Sequence, residues 1–156
     1  MASILNVDKI RATGSTTDAL TIDSTGRVKL PAVPAFSATT TGINNQTSGV
    51  INYNKELFDI GGNYSTTDKA FTCPVAGVYS FSFSHYTVNG TISRAAIHKN
   101  GTLYAYGHRV EGANNECGCT TILMNCAAND VIDIRREEGD VHTNLNYTHF
   151  SGHLVG

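Results

Sequence analysis

The stretch Phe71–Phe83, FTCPVAGVYSFSF, constrains the fold of this chain more than any other. A short apolar run, Phe71-Thr72-Cys73, is closed by Pro74, and Gly77 reopens the chain into strict alternation. Tyr79, Phe81, Phe83 and His85 fall on one face, and Ser80, Ser82 and Ser84 on the other. Period two marks a strand, because successive side chains point to opposite sides of a sheet. Aromatic residues suit its pleated, buried surface. The serine face is small rather than charged, so another layer can pack closely on it. Such a strand belongs in the middle of a sheet.

The rest of the chain fits an all-β reading. Fifteen Gly, abundant Ser, Thr and Asn, and only 15% charged residues suit short strands and turns. Strands are predicted at Val50–Tyr53, Ile92–His98, Leu103–Arg109, Thr120–Cys126, Val131–Arg136 and Asn146–Val155. Asn89-Gly90 and Asn100-Gly101 carry the hairpin signal, since both central residues of the favoured turn need positive φ. Ala127–Asp130 is expected to join Thr120–Cys126 and Val131–Arg136 as a further pair. Polar loops are expected at Thr39–Ser48, Asp59–Asp68, Gly112–Gly118 and Glu137–Asn144.

Residues 1–34 differ in texture. Ile4–Val7, Ala19–Asp23 and Arg27–Leu30 read as short strands separated by Thr13-Gly14-Ser15 and Ser24-Thr25-Gly26, before the stiff Pro31-Ala32-Val33-Pro34. Strands so short cannot bury a core alone and need neighbouring chains. The expected division is therefore an attachment segment, 1–34, and a head, 35–156.

The head resembles the globular head of complement component 1q (C1q), a relative of the tumour necrosis factor jelly roll. The resemblance rests on Phe71 followed by Gly77-x-Tyr79-x-Phe81-x-Phe83, with Asp59 and Tyr64 upstream at the family's spacing. Ala35-Phe36-Ser37-Ala38, Asn129-Asp130-Val131 and Phe150-Ser151-Gly152 match further family motifs, while Tyr53 stands where the family has Phe. It implies a jelly-roll β-sandwich of about ten strands that assembles as a homotrimer and is no enzyme. The phrase Leu20–Val28 is similar to segments of bacteriophage tail-fibre and related virion proteins.

Several functions lose support from composition. A net charge of −2 with no basic cluster beyond Arg135-Arg136 speaks against nucleic acid. No apolar run approaches the ~20 residues of a membrane-spanning helix, so no membrane insertion is expected. MASILNVDKI lacks a basic region followed by an apolar stretch, so the expectation is synthesis in the cytoplasm without a signal peptide. The five Asn-x-Ser/Thr sequons then read as turn chemistry.

Chemistry-bearing residues are scattered. Cys117-Gly118-Cys119 with Cys126 suggests metal, but four ligands at zinc spacing are missing, and structural thiols are the plainer reading. Cys73 reads as a buried free thiol. His149 and His153 stand too far apart along a strand for one ion, at about 13 Å. Only copies brought together at a threefold axis would make a metal ring from one of them, with packed or solvated side chains as the plainer reading. No serine-nucleophile pattern and no carboxylate pair flanking a sugar cleft is present. Glu137, Glu138 and Asp140 offer hard oxygen ligands, making calcium the one candidate cofactor, with a solvated acidic loop as the alternative. Tyr104, Tyr106 and His108 share one strand face, a ligand surface if exposed. Tyr79, Phe81, Phe83 and Phe150, with Ser80, Ser82 and Ser84, are the candidates for core or trimer interface.

The expected function is that of a trimeric virion structural protein. Residues 1–34 would bind other virion proteins, and the head would adhere to a host-surface protein or glycan or cap the fibre. The alternatives are a free-standing C1q-like module that binds protein or carbohydrate, and a purely architectural head.

Overall fold

The computed structural model describes residues 7–87, 91–111 and 116–156, the side chain at 44 aside. No helix occurs among them. The chain divides into two compact units, Met1–Val33 and Pro34–Gly156.

In the first unit, β1 (Lys9–Ile10), β2 (Leu20–Ile22) and β3 (Val28–Lys29) form a small antiparallel sheet. The predicted strand at Ile4–Val7 lies, Val7 apart, outside the described residues. Asp23 fixes the turn between β2 and β3: its Oδ1 accepts from the backbone N–H groups of Thr25 and Arg27 at 2.9 and 3.0 Å. With the Thr25 hydroxyl as a further donor, these bonds hold the carboxyl well below its usual range. None of the seven strand residues is buried, while Ile10, Val28 and Leu30 are exposed.

The second unit is a two-sheet sandwich. Its strands are β4 (Ala35–Thr39), β5 (Asn44–Gln46), β6 (Lys55–Ile60), β7 (Tyr64–Ser65), β8 (Ala70–Thr72) and β9 (Gly77–Tyr86). They continue with β10 (Ser93–Lys99), β11 (Thr102–Val110), β12 (Cys117–Cys126), β13 (Val131–Gly139), β14 (Val141–Thr143) and β15 (Phe150–Leu154). One sheet runs β11-β10-β13-β8-β7. The other runs β6-β4-β15-β9, with β12 along the far side of β9, and β14-β5 joined to the end of β9.

Phe71–Phe83 sits at the centre of this arrangement. β9 pairs with β12 over its whole length and with β15 on its other side. Tyr79, Phe81 and Phe83 turn inward and meet Phe36, Phe71, Phe150, Ile97, Ile132 and Ile134 between the sheets. Phe36 stacks on Phe71 at 4.6 Å between ring centroids and meets Phe150 edge-on at 4.9 Å. Gly152 makes this density possible: a Cβ there would come within 2.4 Å of the Phe81 ring. Tyr53, where the resembled family has Phe, buries its hydroxyl and donates it to the Ser84 carbonyl at 2.8 Å, so the extra polar atom is satisfied.

Four local expectations are corrected. Val50–Tyr53 is not a strand: Val50 makes an isolated bridge to Arg135, and the strand that follows is β6. Among the described residues, one Asn-Gly hairpin joins neighbouring strands. Asn100 and Gly101, at φ 52° and 75°, link β10 to β11 with Lys99 opposite Thr102. Asn89-Gly90 lies outside the described residues, and the strands on either side of it, β9 and β10, belong to different sheets. β12 and β13 are likewise no pair, because β12 joins β9 while β13 lies between β10 and β8. Finally, Glu137–Asn144 is no loop: β13 extends to Gly139 and β14 follows at Val141.

Candidate functional site

The outward face of the seven-stranded sheet is built in rows, since residues paired across a sheet point to the same side. One row reads Phe58, Ser37, Ser151, Ser82, Thr121 across five strands. The next reads Ile60, Ala35, His153, Ser80, Leu123. Neither row contains an Asp, Glu, Lys or Arg. Phe58, Ile60 and Leu123 are exposed in the single chain, Leu123 by 62%. The serines between them are small, so the middle of the face is low and flat. The Thr121 hydroxyl donates to Ser82 Oγ at 3.0 Å, which satisfies these polar atoms within the surface.

Ser84 lies beyond the rows, covered by the segment 144–149. Its hydroxyl donates to the Tyr147 carbonyl at 3.1 Å and accepts from the His149 N–H at 3.0 Å. Where this segment meets β9 and β12, Tyr86, Cys117, Asn144 and Tyr147 line a pocket of about 370 Å³. Tyr86 packs against Tyr147 at 6.0 Å and His142 at 5.8 Å between centroids. Cys117 and Cys119 are both exposed, with their Sγ atoms 3.8 Å apart. Burial and the neighbouring Cys119 push the Cys117 thiol up to about 11.

The opposite side of the sandwich has another chemistry. On the five-stranded sheet, Arg135 grips Asp133 through two bonds of 2.7 and 2.8 Å. His98 Nε2 meets Glu137 Oε1 at 2.8 Å, and Arg109 binds both oxygens of Glu138 at 2.8 and 2.9 Å. The bonds from Arg109 hold the Glu138 carboxyl below its usual range. Tyr104, Tyr106 and His108 are exposed on β11, and the Arg94 guanidinium lies 4.2 Å from the Tyr106 ring centroid.

The candidate residues thus separate. Tyr79, Phe81, Phe83 and Phe150 are fully or almost fully buried inside one chain, while Ser80 and Ser82 belong to the uncharged face. Glu137 and Glu138 already have side-chain partners, His98 from β10 and Arg109 from β11, and Asp140 follows them between β13 and β14. Among the described residues, no group of three or more His, Cys, Asp and Glu side chains is placed to hold a metal ion. Sequence reasoning missed Phe58, Ile60, Thr121 and Leu123. The alternation of Thr121 and Leu123 with the half-buried Ile122 and buried Met124 in β12 was the available signal.

Comparison with known proteins adds the family. A model described as "C1q domain" matches residues 35–155. The globular domain of zebrafish complement 1qA protein superposes with a TM-score of 0.64 at 19% identity, covering 79% of this chain and 98% of that one. Murine APRIL at pH 5.0 superposes with a TM-score of 0.61 at 8% identity, over 79% of this chain and 99% of its own. Eiger TNF from S. frugiperda gives 0.56 at 13% identity, over 80% and 92%.

Proposed function

The chain belongs to the C1q-domain family, and from that premise we propose that it is a homotrimeric head module of a virion fibre. Domains of this family serve as binding modules rather than enzymes. One observation carries the assembly: the uncharged face of Phe58, Ile60, Leu123 and the serine rows. A sheet face that meets water normally carries charged or strongly polar side chains on its outer positions. This one matches instead the low-charge centre of a subunit interface. Three copies closing about a threefold axis bury it in a closed, symmetric assembly.

The first unit supports the attachment half of the proposal. Its strands bury no residue, and Ile10, Val28 and Leu30 stand exposed, so it gains stability by docking on other chains. In this reading residues 1–34 join the particle, and the loops of the head, with Tyr104, Tyr106 and His108, meet a host-surface protein or glycan. Three copies convert weak single contacts into avidity, by factors of ~10²–10⁴ where geometry allows.

Light scattering of the full chain should give three times the 16.7 kDa of one protomer. A protomer mass at micromolar concentration overturns the assembly. A chain beginning at Pro34 should stay trimeric, bind susceptible cells and fail to enter particles. If that head is trimeric yet binds no susceptible cell, recognition is lost and an architectural role replaces it.

A further inference from the structure

Cys117 and Cys119 stand on β12 outside the two rows assigned to the assembly. They lie two apart on β12, so both point to the same side of the sheet, and their Sγ atoms converge to 3.8 Å. Two thiolates bound to one tetrahedral zinc ion at ~2.3 Å each stand about 3.8 Å apart. The free chain already holds that separation. A disulfide is the competing use, but ordinary strand rise sets residues i and i+2 about 6.6–6.8 Å apart at Cα. That is the outer limit for a disulfide, which needs Cα atoms roughly 4.4–6.8 Å apart. The ladder to β9, continuous from Cys117 opposite Tyr86 to Cys126 opposite Gly77, holds the strand extended.

We propose that Cys117 and Cys119 form a half-open dithiolate site for a divalent d¹⁰ cation, zinc or cadmium. Both protein ligands come from one chain, in the row of β12 next to Thr121, so the site takes no ligand from a second copy. The adjoining pocket of about 370 Å³ leaves room for two exchangeable ligands, water or a small donor molecule. The Tyr147 carbonyl, 3.7 Å from Cys117 Sγ, and the Asn144 side of the pocket supply polar surroundings for them. Binding exchanges two S–H bonds for two metal–sulfur bonds and releases two protons to solvent, with no change of oxidation state. The buried thiols Cys73 and Cys126 take no part.

Cadmium is the probe, because its thiolate complexes absorb in the ultraviolet by charge transfer. Titrating the reduced full-length protein should raise this band to saturation at one cadmium per chain, with two protons released per ion. Joint replacement of Cys117 and Cys119 by Ser should abolish the band, while joint replacement of Cys73 and Cys126 leaves it in place. Absence of the band, or its survival undiminished in the Cys117/Cys119 double variant, overturns the site. A second measurement needs no variant. Cadmium should protect Cys117 and Cys119 of the unaltered protein from alkylation, read by peptide mass mapping, and equal labelling with and without the ion refutes the proposal. Light scattering in parallel keeps this result separate from the trimer, which should keep its mass with and without cadmium.

Discussion

The two outer faces of the sandwich are made by the same kind of strand and carry opposite chemistry. On the five-stranded sheet, charged side chains are dense and partnered: Asp133 and Glu138 pair with Arg135 and Arg109, and Glu137 is hydrogen-bonded to His98. On the seven-stranded sheet, two rows of five side chains contain no Asp, Glu, Lys or Arg. Matched ion pairs on a surface add little stability, but they keep a face soluble and apart from its copies. The bare face has no such protection. In the proposed assembly the first side meets water and the second meets sister chains.

The largest expected effect comes from breaking that contrast. Ser82→Arg puts a charge in the middle of the bare face, opposite Ser151 and Thr121. An unpaired buried charge costs about 3–5 kcal/mol, and the trimer would hold three, so light scattering should show protomers. Arg135→Ser on the matched face should leave the mass unchanged. If both variants remain trimeric, the bare face is not the interface.

Phe81→Ala tests the layer both faces rest on. Its ring lies between Phe36, Phe71, Tyr79 and Phe150, and removing it should destabilise the fold by about 3–5 kcal/mol in urea unfolding. A loss below ~1 kcal/mol would mean that the core is not packed as described.

The third effect is a pH dependence from His85. This residue is fully buried at the end of the core, where Gly118 opposite it leaves room for the imidazole. Burial, aided by the charge of His108, lowers it from 6.5 to about 4. The unfolded chain therefore takes up a proton below 6.5 that the folded chain refuses until about 4. Stability is complete above that window, falls as pH drops through it, and has lost about 3 kcal/mol per chain at its lower end. His85→Gln should flatten this slope in urea midpoints measured across the window. An unchanged slope would assign the acid sensitivity to another group.

The smallest effect sharpens the matched face. Tyr106→Ala removes the ring beneath Arg94 and should reduce stability by only about 0.5–1 kcal/mol. Binding to cells should fall by more than this stability change explains if the tyrosines recognise a ligand, and by nothing if they do not.

Legibility in the sequence followed burial. β9 was readable because one face is aromatic and buried and the other is small, so period two stands out. β6 was missed because Lys55-Glu56-Leu57-Phe58 is exposed throughout in one chain and leaves no alternation to read. Alternation reports which way side chains point, not which strand lies beside them. Hence β12 was recognised as a strand and given the wrong partner. The same limit governed the sites. Tyr104, Tyr106 and His108 were placed on one face by spacing alone. Glu137 and Glu138 read as loop ligands because their partners, His98 and Arg109, lie far away in sequence. The Cys-x-Cys spacing was visible, but the convergence of its sulfurs depends on rotamers that no spacing encodes.

The position of β15 has a kinetic consequence. It lies between β4 and β9, which precede it in the chain, and it completes every row of the bare face with Ser151 and His153. On the ribosome both neighbours therefore emerge and wait with open edges, and unpaired edges invite pairing with other chains. Contacts so distant in sequence close slowly. Halting synthesis before Phe150 should leave a nascent chain captured by chaperones and open to protease, and emergence of β15 should bring folding and assembly in quick succession.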